Sequence, residues 1–209
     1  MSPTPTRIVV VDDHEILRKG IVQLLEGTGE YAVVGEAATA QAAHEVIRET
    51  RPDLVIADLV LQHGPDGIQL TKGLKAYDPQ LPVLLLSAHD ESLFAERALE
   101  AGASGYVMKD EAVDRLLDAI AAALEGRVWL SEEMWSRFGG AAQEPDGDVP
   151  EETRPVLDEM AAGNWTTHGL ARKLGMSWTD VERHKRTLRD ALGLRSDVEL
   201  VLHAQRLRG

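Results

Sequence analysis

The chain has 209 residues, 44% of them hydrophobic, enough for one large domain or two small ones with real cores. It has no cysteine, which excludes a disulfide framework, thiolate metal sites and cysteine nucleophiles. The net charge of −13 is uneven: residues 1–149 hold 12 Lys and Arg against 26 Asp and Glu, whereas residues 150–209 hold 10 against 9, so two parts with different partners are expected.

The N-terminal MSPTPTR lacks the apolar stretch of a signal peptide, and the longest apolar runs fall far short of a membrane span. A soluble, cytoplasmic protein with no membrane partner is expected. Along the first 125 residues, short β-branched or apolar runs at 7–11, 31–35, 53–57, 82–86 and 104–108 alternate with helical patterns at 14–26, 39–50, 67–77, 91–101 and 111–125. Strands alternating with amphipathic helices imply crossovers and a parallel sheet. Runs such as VVV and LLL suit strands covered on both faces. Residues 127–138, RVWLSEEMWSRF, read as a further short helix, with Trp129 and Trp135 packing between domains. GGAAQEPDGDVP (139–150) reads as a linker. Four helical patterns follow, at 151–162, 167–174, 178–191 and 197–207, with Gly163, Gly175 and Gly193 at helix ends. The expected organisation is an α/β domain over 6–126, a helix and linker over 127–149, and a small all-α domain over 150–209.

In an open parallel sheet, ligands bind at the carboxyl ends of the strands. There this sequence places Asp12 and Asp13 after the first strand, Asp58 after the third, Ser87 after the fourth and Lys109 after the fifth. Three carboxylates at one edge repel unless a cation joins them, and oxygen-only ligands suit Mg2+. A nearby lysine and hydroxyl could meet a phosphoryl group, and a carboxylate can accept one as an acyl phosphate.

These residues carry a resemblance. VVVDDHE, VIADLVL, LLLSAHD and GYVMKD resemble the receiver domain of two-component response regulators over about residues 6–125. The resemblance implies a five-stranded flavodoxin-like sheet in the order 2-1-3-4-5 and phosphorylation of Asp58 by a sensor histidine kinase. It implies Mg2+ held by Asp12, Asp13, Asp58 and the backbone carbonyl of Val60. Lys109 would contact the phosphoryl group, Ser87 and Tyr106 would be the switch pair, and Ala88 would leave access for donors. His89 would lie near the acceptor. Two departures stand out: Gln62 replaces a common proline, in a QHGPDG loop one residue longer than usual, and Asp110 follows Lys109 where many relatives have proline. Phosphatases of the haloacid-dehalogenase type also use a strand-end Asp with Mg2+, but need a second Asp two residues on. Val60 stands there, so a substrate-processing enzyme is not expected.

Residues 167–192, THGLARKLGMSWTDVERHKRTLRDAL, read as helix, turn, helix, with Ser177 as an N-cap. At about 100° per residue, Val181, Leu188 and Leu192 share one side and Glu182, Arg186 and Arg189 the other. Such a helix suits the major groove. This part resembles the DNA-binding domain of LuxR-type regulators (the NarL/FixJ subfamily), over about 149–207. By that resemblance Glu182, Arg183, Lys185, Arg186 and Arg189 form the DNA face, the partner is a pseudo-palindromic operator, and the last helix supports a homodimer when the protein is phosphorylated. Glu182 stands where relatives most often have Lys. It either accepts a hydrogen bond from cytosine or weakens DNA binding. In the second case the protein would be a phosphorylation-switched protein-interaction regulator. Gly169 replaces a usual Glu, the GNWTTH loop is one residue longer, and Pro155 interrupts the first helix of this domain. Val198, Val201, Leu202 and Gln205 share a face of the last helix, and Trp165 and Trp178 are expected to be exposed. The seven histidines form no metal pair on one helix.

Overall fold

The computed structural model describes residues 4–62, 64–88, 91–139 and 148–207, with the side chains of 91–93, 112–114, 133 and 137–139 outside the description. His63, His89 and most of the expected linker lie outside these residues. Five parallel strands, β1 (Thr6–Val11), β2 (Tyr31–Ala37), β3 (Leu54–Asp58), β4 (Val83–Ser87) and β5 (Gly105–Met108), form one sheet in the order β2-β1-β3-β4-β5. The expected flavodoxin-like order is therefore present. Helices α1 (Glu15–Gly27), α2 (Ala40–Thr50), α3 (Gly67–Tyr77), α4 (Glu91–Glu100) and α5 (Ala112–Leu124) make the crossovers.

Alternate strand residues supply two cores, as a period of two requires. Ile8, Val10, Ile56, Leu84, Leu86 and Val107 pack under α1 and α5, through Ile21, Leu25, Leu116 and Ile120. Val9, Val11, Val55, Ala57, Val83 and Leu85 face α2, α3 and α4, through Ala43, Ile47, Leu70, Leu74 and Leu99. Local signals fix the helix starts: Thr39 and Asp66 accept hydrogen bonds from Ala42 N and Gln69 N, and so cap α2 and α3.

The segment 127–138 differs from expectation. Only Glu132–Gly139 is helical (α6), while residues 127–130 are extended. Trp129 N donates to Ser104 O at 2.9 Å and Trp129 O accepts from Tyr106 N at 3.3 Å, so this stretch lies parallel to β5. Val128 and Leu130 are buried while Trp129 packs on the α1/α5 side, an alternation of period two rather than 3.6. Ser131 then opens α6, its O accepting from Trp135 N at 2.9 Å.

The second part is helical: α7 (Arg154–Ala161), α8 (Thr167–Leu174), α9 (Trp178–Leu192) and α10 (Asp197–Arg206), after a single 3-10 turn at Glu151–Thr153. Pro155 falls in the first turn of α7, where its missing N–H costs nothing, so the helix starts there rather than breaking. Thr166, Ser177 and Ser196 cap α8, α9 and α10.

The two parts are docked. One continuous apolar cluster runs from the α2–α4 side of the sheet through Val156, Leu157 and Met160 of α7 to Val198, Val201 and Leu202 of α10. The α3 end of the interface is tight. Trp165, expected to be exposed, is buried, with the Lys75 ammonium 6.0 Å from its ring centre. A Cβ on Gly102 would lie 2.5 Å from Thr166 Cγ2, and one on Gly169 would lie 3.0 Å from Pro79 Cβ and 2.1 Å from Asn164 Oδ1. The Glu that the resemblance leads one to expect at position 169 would not fit here. Trp178 is exposed, as expected.

Lys75 is buried and donates to Pro79 O at 3.2 Å. Burial pushes its ammonium down from 10.5 to about 8, against a smaller upward pull from Asp78. Between those values the unfolded chain binds more protons than the folded one, so this group makes stability rise with pH. The melting temperature of the wild type, relative to Lys75→Met at the same pH, is expected to climb from about pH 8 to about pH 10.5. Parallel melting curves of the two proteins across that range would contradict it.

Candidate functional site

The carboxyl ends of β1, β3 and β5 bring Asp12, Asp13, Asp58 and Lys109 together. Asp12 and Asp58 are buried and Asp13 is half-buried. Lys109 Nζ lies 2.7 Å from Asp58 Oδ2 and 2.9 Å from Asp12 Oδ2. Val60 N donates to Asp58 Oδ1 at 3.2 Å, and Gln62 N donates to Asp13 Oδ2 at 3.2 Å. The sheet also aligns the approach: Lys109 N donates to Ser87 O at 2.7 Å and Leu59 N to Leu86 O at 2.7 Å.

The electrostatics follow from burial. Burial raises the Asp58 carboxyl above the usual carboxylate range, with the Asp12 charge adding to it. The Lys109 hydrogen bond and charge and the Val60 N–H oppose it. For Lys109 burial acts downward, but the hydrogen bonds and charges of Asp58 and Asp12 outweigh it and raise the ammonium. Three carboxylates facing one ammonium leave two negative charges, which one divalent cation balances.

The donor set fits Mg2+. Ligand atoms of Asp12, Asp13, Asp58 and His14 lie within 4.8 Å of one another. Asp12 Oδ2 and Asp13 Oδ1 are buried, with Lys109 Nζ at 2.9 Å and His14 Nδ1 at 3.0 Å as ion-pair neighbours and acceptor capacity left over. Hard oxygen ligands of this kind suit Mg2+.

The remaining expected residues have distinct places. Ser87 ends β4 and is buried, Ala88 follows it and is exposed, and the Tyr106 ring is fully buried. Val60 is exposed, at 46%. Sequence reasoning missed three contributors. His14 Nδ1 lies 3.0 Å from Asp13 Oδ1 and 3.9 Å from Asp58 Oδ2, and its only signal was adjacency to the acid pair. Arg18 donates to Asp12 O at 2.6 Å. Gly67, where the longer loop enters α3, allows the chain to pass Asp58: a Cβ there would lie 2.3 Å from Asp58 O. Gly67→Ala is expected to cost about 1–3 kcal/mol by overpacking against backbone. Denaturant unfolding reads this, and unchanged stability would contradict the close approach.

On α9 the five expected DNA-facing residues separate. The Glu182 carboxylate accepts from Thr167 Oγ1 of α8. Lys185 is buried and pairs with Asp197, so it flanks the core rather than the polar face. Arg189 also pairs with Asp197, and Arg183 pairs with Asp180 at 2.6 Å. Among the described residues Arg186 is exposed and has no ion pair. Glu182, Lys185 and Asp197 line a cavity of about 170 Å³ that is closed on the other side by Leu99 and Glu100 of α4. This cavity lies between α4 and α9. Val198, Val201 and Leu202 are buried, and α10 packs against α4, α6 and α7.

The fold and the edge acids define a receiver-type α/β domain joined to a helix-turn-helix domain. Comparison with known proteins agrees. The response regulator receiver domain family matches residues 8–121. The probable transcriptional regulatory protein NarL of Mycobacterium tuberculosis is 31% identical over 99% of this chain and 97% of its own. Among solved structures, a LuxR-family two-component response regulator from Aurantimonas sp. SI85-9A1 is 42% identical over 64% of this chain and 94% of its own, with a TM-score of 0.59. RcsB of Salmonella typhimurium is 25% identical over 97% and 98% of the two chains, with a TM-score of 0.59, and a further RcsB structure holds two dimers bound to two parallel DNAs. The chain belongs to the response regulator receiver family, and it is a two-component response regulator of the NarL type, a family of transcription regulators.

Proposed function

We propose that Asp58 accepts a phosphoryl group from a sensor histidine kinase and that this modification frees the helix-turn-helix domain to bind DNA. The observation that carries the reading is the Lys109 ammonium 2.7 Å from Asp58 Oδ2 within a buried acid cluster. An Asp58 carboxylate oxygen attacks phosphorus, the P–N bond to the donor imidazole breaks, and the leaving nitrogen takes a proton. The product is an acyl phosphate. Lys109, already beside the acceptor, is placed to meet the incoming phosphoryl oxygens, and Ser87 and Tyr106 form the switch pair. Asp12, Asp13, Asp58 and the Val60 carbonyl would hold Mg2+, which offsets the charge of the group being transferred. Ala88, small and exposed, leaves the approach open.

For the output, Arg183, Arg186 and Arg189 form the groove-facing set, with Lys185 available only if Asp197 releases it. The exposure of Arg186 supports this, as does the family's role in transcription. The packing of α10 against α4, with a cavity between α4 and α9, supports a docked resting state, from which release would allow a homodimer to engage a pseudo-palindromic operator. Val60, not an acid, stands two residues after Asp58, which supports signalling rather than turnover of a substrate.

Two outcomes test this. Incubation with acetyl phosphate and Mg2+ is expected to add the mass of one phosphoryl group to the wild type and none to Asp58→Asn. A gain that survives Asp58→Asn would overturn the assignment. The phosphorylated protein should bind genomic DNA fragments with an affinity that falls steeply with salt. Glu182→Lys should steepen that slope by about one. Binding absent in both proteins would contradict the DNA reading.

A further inference from the structure

The extended segment Val128–Leu130 joins the two halves of the molecule. On one side it lies along β5: Tyr106 N donates to Trp129 O, and Trp129 N donates to Ser104 O. Gly105 lets it come this close, since a Cβ there would lie 2.9 Å from Trp129 O and 3.1 Å from Trp129 Cβ. On the other side it is held by one side chain of α10. Val128 is buried, and its N–H donates to Gln205 Oε1 at 3.2 Å. The same amide uses its Nε2 to donate to Gly126 O at 3.2 Å and to Met160 O of α7 at 3.5 Å. Gln205 thus ties the end of α5, the extended segment and the helical domain together. It sits on a helix whose neighbouring positions Val198, Val201 and Leu202 are ordinary core.

We infer that Gln205 is a positioning residue for the receiver switch: its side-chain amide holds Val128–Leu130 against β5, and through that strand it couples docking of the helical domain to the backbone of Tyr106. This rests on the phosphorylation reading above. When the helical domain leaves, the buried Val128 N–H loses its acceptor and the segment loses its anchor. Water then takes the place of Gln205 at that N–H, and without the tether the strand is freer to loosen. Loosening removes Trp129 O from Tyr106 N, at one member of the switch pair. Coupling of this kind is reciprocal. If phosphorylation of Asp58 favours the loosened strand, loosening the strand from α10 favours phosphorylation of Asp58.

The test uses the full chain and two readouts. In unphosphorylated protein, Gln205→Leu is expected to speed amide exchange of Val128, Trp129 and Tyr106 about tenfold. At sub-saturating acetyl phosphate with Mg2+, it is expected to raise the steady-state phosphorylated fraction about fivefold relative to the unphosphorylated one. Leu188→Val, which weakens the helical core without touching the segment, should leave both readouts at the wild-type level. Unchanged exchange in Gln205→Leu overturns the inference, as does an equal effect of Leu188→Val. A wild type that is phosphorylated while Gln205→Leu gives no gain overturns the coupling alone. A wild type that takes no phosphoryl group overturns the functional reading with it. Should Gln205→Leu fail to fold, exchange in the wild type decides: faster exchange at Val128 and Trp129 on phosphorylation supports the coupling, and retained protection overturns it.

Discussion

Lys109 stands between Asp12 and Asp58, and the site depends on that placement. Two carboxylates are taken out of water at the ends of adjacent strands, and one ammonium at the end of β5 reaches both. Without Lys109 the buried carboxylates of Asp12 and Asp58 would face each other with no ammonium between them, which is strongly unfavourable. Their register is set by backbone: Lys109 N bonds to Ser87 O, and Leu59 N to Leu86 O. The same contact keeps the site ready. Asp58 accepts one hydrogen bond from Lys109 and one from Val60, while two buried oxygens of Asp12 and Asp13 keep free acceptor capacity for a cation.

A second constraint is that the receiver and the helical domain share one apolar cluster. Several features that the family resemblance marks as unusual lie at that contact. Gly169 sits against Pro79, and the longer GNWTTH loop carries Trp165 over Lys75 and Thr166 onto Gly102. Glu182, the charge reversal on α9, is bonded to Thr167 and lines the cavity closed by α4. In the docked form Glu182 is thus part of the helical domain's own hydrogen bonding. Asp197 likewise neutralises Lys185 and Arg189. The basic run near the end of the chain is less basic in the folded state than in the sequence.

The sheet and its edge acids were legible because each acid directly follows an apolar run, and strand ends of a parallel sheet must share an edge. The helix-turn-helix was legible from its period and caps. What stayed hidden depends on contacts between residues far apart in sequence. VWL at 128–130 alternates with period two over only three residues, too short a stretch to outweigh the helical pattern after it. Trp165 looked like a loop tryptophan until Lys75, on another domain, was beside it. Lys185 has a basic side chain at the margin of an apolar face, and only the position of Asp197 decides that it turns inward.

On the proposed function, phosphorylation of Asp58 separates two domains that are docked at rest. The chain has no cysteine, so a single pair introduced as Lys72→Cys on α3 and Lys173→Cys on α8 can carry spin labels without background. The distance between them, measured before and after acetyl phosphate with Mg2+, tests the claim directly. A short distance that lengthens on phosphorylation, and does not change in Asp58→Asn, is the predicted result. A distance that stays short in protein whose mass shows Asp58 to be phosphorylated would contradict it.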